Sequence, residues 1–225
     1  VQVSFFREKN VMSHSSAGRV FAGLVLLGGL AGCGGPLSYM VKTQDVSAEA
    51  RTRLQADEQA VAEAVRRRDE AKQKSILSVE HVKTTEADLK TKDGDLDIAK
   101  KRLALEEARD NAGRTADTDN AESRLSAAKQ AAARAKKALA LAEAEAERDS
   151  VAADEAKQAW LTTLADFELK KARELLAAGN ATPVSVTEFE QQREKQAKAL
   201  TDVRAKLADR ESEVAEAREE LVDVD

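Results

Sequence analysis

"LLAAGNATPVSVTEFEQ", residues 175–191, ends one helix and starts another. Gly179 and Asn180 suit the left-handed position that closes a helix. Pro183 has no N–H and cannot continue one. Ser185 followed three residues later by Glu188 has the spacing of a capping box, with Val184 as a staple residue before it. A turn marked this clearly needs helices on both sides, and the pattern supplies them.

Downstream, a seam of apolar positions at alternating steps of three and four runs from Val186 and Phe189 through Leu200, Val203, Leu207 and Val214 to Leu221, interrupted by Arg193, Gln196 and Arg210. This spacing keeps one stripe of a helix facing a partner. Upstream, the same steps join Leu125, Ala128, Ala132 and Ala135 to Leu139, Ala142 and Ala146, and continue through Asp149 to Trp160, Thr163 and Phe167. Alanine at a seam lets helix axes approach closely but buries little area. Trp160, Leu164 and Phe167 are therefore expected to be the apolar cluster that fixes the register, with Phe189 as its counterpart across the turn.

Stepping by seven from Leu54 reaches Val61, Arg68, Ser75, Val82, Leu89, Leu96 and Leu103, a row apolar except at Arg68 and Ser75. The companion row is weaker: Val65 and Val79 are apolar, but Lys72, Glu86, Asp93 and Lys100 are not. Gly94 costs about 1 kcal/mol relative to alanine and is a candidate bend. Gly113, in "ARDNAGRTADTDNAES" (108–123), suits a helix C-cap, and Asp119 with Glu122 has capping spacing. A helix running straight through this stretch is the alternative.

The sequence thus predicts an all-α chain with helices at about 47–112, 119–178 and 185–222. The first two are matched in length, on the order of 90–100 Å at ~1.5 Å per residue. Matched helices with a short connection form an antiparallel hairpin, so the expectation is a long helical hairpin or three-helix coiled coil. Composition agrees: 34 % of residues are charged, 3 % are aromatic, and two are proline. Such a chain has a narrow seam rather than a thick core.

The amino-terminal part differs. Arg19 leads into an apolar run from Val20 to Leu30, too short to span a ~30 Å hydrocarbon layer. Charged, apolar and small-residue regions in this order mark a secretory signal. Residues 1–32 are read as that signal, with Met12 as its start, and residues 33–46 as a flexible tether in which Gly34, Gly35 and Pro36 discourage helix.

"Leu30-Ala31-Gly32-Cys33" resembles the lipobox of bacterial lipoproteins. The resemblance implies cleavage before Cys33, a diacylglycerol on its thiol and an acyl chain on the new amino terminus. One acyl chain anchors only marginally, and three hold firmly. Gly34, where an aspartate would signal inner-membrane retention, implies the outer membrane, with the helices facing the periplasm. Cys33 is then a lipidation site rather than a reactive thiol. The expected partners are the membrane, through that lipid, and either further copies or other helical envelope proteins.

A second resemblance is local. Residues 172–200, "ARELLAAGNATPVSVTEFEQQREKQAKAL", look like the hairpin turn of periplasmic adaptor (membrane fusion) proteins. That implies an accessory role in an efflux or secretion assembly, although the strand-rich segments of adaptors are missing from this sequence.

Catalytic chemistry has little to draw on. Histidine occurs only at 14 and 81. With Cys33 acylated, neither a metal-binding cluster nor an activated nucleophile can be assembled. No phosphate-binding loop is present. "RRRDE" (66–70) is a brief basic patch within a face of mixed sign, and a net charge of −5 offers no stripe for nucleic acid. No enzyme activity, small-molecule substrate, cofactor or metal is expected.

Overall fold

The computed structural model describes residues 37–223. The signal segment and its lipobox residues Leu30, Ala31, Gly32 and Cys33, with the sorting position Gly34, lie outside the described residues. From Leu37 onward the described chain is helical and has no strand. A single turn of 3-10 helix at Thr43–Asp45 precedes three α-helices: α1 (Ala48–Asn111), α2 (Thr118–Ala177) and α3 (Val186–Val222).

Each boundary has a local cause. Ser47 caps α1, its hydroxyl accepting the Ala50 N–H at 3.2 Å. Gly113 turns the chain at φ +65° after α1, and Gly179 does so at +76° after α2. These are the described residues with left-handed backbone, a conformation that a side chain disfavours. Glu106 holds the first turn from inside α1, accepting the Asp117 N–H at 3.2 Å. α2 starts one residue before the Asp119–Glu122 pair considered for its cap. Its N-cap is Asp117, whose side chain makes no capping bond. Ser185 and Glu188 form a complete capping box at α3, each side chain bonding the other's backbone N–H. α1 runs unbroken through Gly94, where an added Cβ would meet nothing within 4 Å.

α2 is the middle element. It packs against α1 along one side and α3 along another, and α1 and α3 share no comparable interface. Cross-helix ion pairs mark the register. Between α1 and α2 they join Arg53 to Glu174, Asp57 to Lys170 and Lys74 to Asp149. Between α2 and α3 they run from Arg173–Glu190 at one end, through Glu155–Arg204 and Glu145–Arg218, to Lys137–Glu220 at the other. Both pairings are antiparallel. Apart from Lys74–Asp149, whose carboxylate is buried, these are surface pairs that each stabilise by under about 1 kcal/mol, so they report alignment more than they hold it.

The hairpin therefore has two parts. Near the 175–191 turn, three helices pack together. α3 stops at Val222, just past the level of Lys137. Beyond it, α2 from Thr118 to about residue 136 has only α1 for company, along roughly residues 91–111. The α2 side of this distal arm is sealed by alanine: Ala121, Ala132 and Ala135 are buried there, and Ala99 is buried on α1.

The α1 seam differs from its expected companion row. Lys72, Asp93 and Lys100 are exposed. The residues that accompany Val82, Leu89, Leu96 and Leu103 towards α2 are Ala71, Ser78, Thr85, Lys92 and Ala99, one helical turn earlier in each heptad. They are small or polar and carry little apolar signal. In α3, Arg193 is likewise exposed and its neighbour Gln192 is buried.

Candidate functional site

The densest packing lies at the base of the hairpin, where the first described residues meet the 175–191 turn. Val41 and Val46 from the segment before α1, Ala50 and Leu54 from α1, Leu169, Ala172 and Leu175 from α2, and Phe189 from α3 make one cluster. Phe189 and Ala172 are fully buried. Tyr39 stands edge-on to Phe189, ring centroids 6.2 Å apart. Val184 and Val186 of the turn, with Phe167, pack around the cluster from outside.

The centre is thus further along α2 than the expected anchors. Leu164 is buried and Phe167 flanks the cluster, but Trp160 is not among its residues. Trp160 lies two helical turns away and is covered by the guanidinium of Arg68, 4.5 Å above the ring. That contact joins α1 to α2 through a cation–π pair rather than through apolar packing.

Residues 38–46 are not a free tether. Their backbone is held by side chains from two helices. The Gln192 amide oxygen accepts the N–H of Ser38 at 2.8 Å and of Tyr39 at 3.1 Å, and its NH₂ donates to the Tyr39 carbonyl at 3.1 Å. Two residues on, the Val41 N–H donates to Glu168 at 2.7 Å, and Lys171 Nζ donates to the Val41 carbonyl at 2.9 Å. Glu168 and Lys171 also pair with each other at 2.6 Å. Both are buried, as is Gln192. An extended segment buries backbone groups that need partners; here side chains supply them as a neighbouring strand would.

This arrangement explains three buried polar residues that the sequence did not single out. Glu168 and Lys171, three apart on a helix, look like an ordinary surface ion pair. The available signal was their position: Glu168 and Lys171 fall within the apolar arc of α2 that Leu164, Ala165, Phe167, Leu169, Ala172 and Leu175 form, whereas Asp166, Lys170 and Arg173 take the opposite face. α1, α3 and segment 38–46 cover that arc, while Lys170 and Arg173 stay exposed.

Asp149, in the predicted seam of α2, is a second buried charge. It accepts from Arg148 at 2.6 Å and pairs with Lys74 at 3.2 Å, and the Ser78 hydroxyl also donates to it. Burial pushes its carboxyl pKa up, but the bonds from Ser78, Arg148 and Lys74 prevail and hold it below the ordinary carboxylate range. Residue 143, two turns along, behaves oppositely. Partial desolvation, with Glu147 and Glu86 nearby, raises the Glu143 carboxyl.

His81 is exposed on α1. Among the described residues, no three His, Cys, Asp or Glu side chains come together as metal ligands, and no helix is long and apolar enough to cross a membrane. The described residues form a docked segment before α1, a densely packed base and a slender distal arm. No protein-family model, curated protein or solved structure matches this chain.

Proposed function

We propose that this protein is a lipid-anchored lipoprotein of the cell envelope. Its helical hairpin serves as a non-catalytic spacer and interaction module on the periplasmic side, with the outer membrane as its site. The observation that carries this reading is the sequence Leu30-Ala31-Gly32-Cys33 at the end of a short apolar run. The base of the hairpin supports it. Ser38, five residues after Cys33, is bonded to Gln192, and five residues extend at most about 18 Å. Acylation of Cys33 would therefore keep the three-helix base within reach of lipid.

The adaptor-like reading assigns docking to the 175–191 turn. In this protein Val184, Val186 and Phe189 pack on the base cluster, so those side chains already have a partner within the chain. Docking in an efflux or secretion assembly would fall instead to the distal arm.

The test is processing in cells. Wild-type protein should accumulate uncut with globomycin, which blocks lipoprotein signal cleavage. Cys33→Ser should abolish cleavage and lipid labelling. Equal processing and labelling of both forms would defeat the reading.

A further inference from the structure

α1 carries a second stripe, away from the seam that meets α2; only at Leu105 does it border the cavity between the two helices, which Asp117, Asn120 and Arg124 also line. Stepping by seven from Leu77, one row reads Thr84, Thr91, Ile98 and Leu105. The row three residues on, from Glu80, reads Ala87, Gly94, Lys101 and Ala108. All ten residues are exposed. Leu77, Ile98 and Leu105 are 60 %, 52 % and 53 % accessible, among the most exposed large apolar side chains of the described residues. The pattern is a heptad, and α1 has no interface with α3 that could cover it. Only two of the ten positions are charged. They have opposite sign and lie at opposite ends of the stripe.

We propose that this stripe binds a second copy of the same chain, with the two α1 helices antiparallel about a two-fold axis near residues 91–94. The charges select both the occupant and the direction. An antiparallel partner brings its Lys101 within a helical turn of Glu80, and the symmetry repeats the pair at the other end. A parallel partner sets Glu80 beside Glu80 and Lys101 beside Lys101. Along one edge the antiparallel pairing also brings Lys90 to the level of the second copy's Asp97, twice. Along the other edge Asp88 and Asp95 of the two copies come near each other. At the axis Thr91 faces Gly94, and the missing side chain permits close approach. Glu80 and Lys101 now make only exposed pairs within α1, with Lys83 and Asp97, which are weak enough to exchange. The contact is isologous, as closed dimers require. It does not depend on lipid attachment.

Disulfide trapping of the full chain tests this in the Cys33→Ser background, where an introduced cysteine is the sole thiol. Thr91→Cys should form a dimer on mild oxidation. Leu77→Cys alone and Leu105→Cys alone should form little, whereas co-expressed, differently tagged Leu77→Cys and Leu105→Cys chains should crosslink to each other. Glu80→Lys should lower trapping at 91 by roughly fivefold or more, and Glu80→Lys with Lys101→Glu should restore it, while helix content stays unchanged throughout. Homodimers of Leu77→Cys and Leu105→Cys would show a parallel pair. Adducts of other mass would show a different protein on the stripe. Either result, or no trapping at 91 in a folded chain, overturns the proposal.

Discussion

Gln192 makes three hydrogen bonds to the backbone of residues 38 and 39, so its loss should be felt in that segment first. Gln192→Ala leaves those groups unpaired, a cost of about 1–3 kcal/mol. The expected outcome is faster tryptic cleavage at Lys42 with α1–α3 still folded; unchanged cleavage would mean that the clamp does not hold the segment. Asp149 makes a pH prediction. Its folded pKa is depressed by bonds that outweigh burial, so its stabilisation is fully present above the unfolded value near 3.9 and is lost as pH falls through the lower, folded value. Asp149→Asn should reduce stability at neutral pH and flatten the acid limb of a stability-versus-pH curve. Glu143 has the opposite sign, because its raised pKa makes ionisation weaken the fold as pH rises through the carboxylate range. Glu143→Gln should therefore raise the melting temperature at pH 7.

At the scale of elements, the glycines separate by backbone. Gly94 is helical, and within its own chain nothing lies close to its Cα, so in the Glu80→Lys background, where no second copy packs on it, Gly94→Ala should stabilise by about 0.5–1 kcal/mol. Gly113 also has open space but sits at φ +65°, so Gly113→Ala should destabilise by about 1–2 kcal/mol. Thermal melts of both variants, shifting in opposite directions, check this pair. The sequence showed these elements well because turns and caps are local: Ser47, Gly113, Gly179 and the Ser185–Glu188 box depend only on near neighbours. The clamp was not legible for the converse reason. Glu168 and Lys171 have the spacing of a solvated pair, and only the return of Val41, 127 or more residues distant in the chain, makes them interior. Gln192 and Ser78 were hidden likewise, since a polar residue in a seam weakens the periodicity that would reveal it. The anchor cluster was misplaced towards Trp160 because size was weighed without the third and fourth segments that cover Leu169 to Leu175.

Across the whole described unit, packing is graded. The base joins three helices and the docked segment around Phe189, whereas the arm beyond Lys137 is two helices sealed by alanines. Alanine buries little area, so local opening should begin at the Gly113 turn and move towards the base. Amide exchange should be fastest from about 91 to 136 and slowest around Leu169, Ala172 and Phe189. Uniform protection would contradict a graded hairpin, unless the second copy on α1 supplies it, in which case Glu80→Lys should restore the gradient. An arm that is narrow and remote from the base is suited to reach and contact. This fits a spacer fixed at one end.

That fixed end is the central claim, and mass spectrometry of the membrane-extracted protein tests it most directly. The account predicts an amino-terminal tryptic peptide that begins at Cys33 and ends at Lys42, carrying a diacylglyceryl thioether and an N-acyl chain. An unmodified Cys33, or peptides from residues 20–32 still joined to it in the mature protein, would contradict the account.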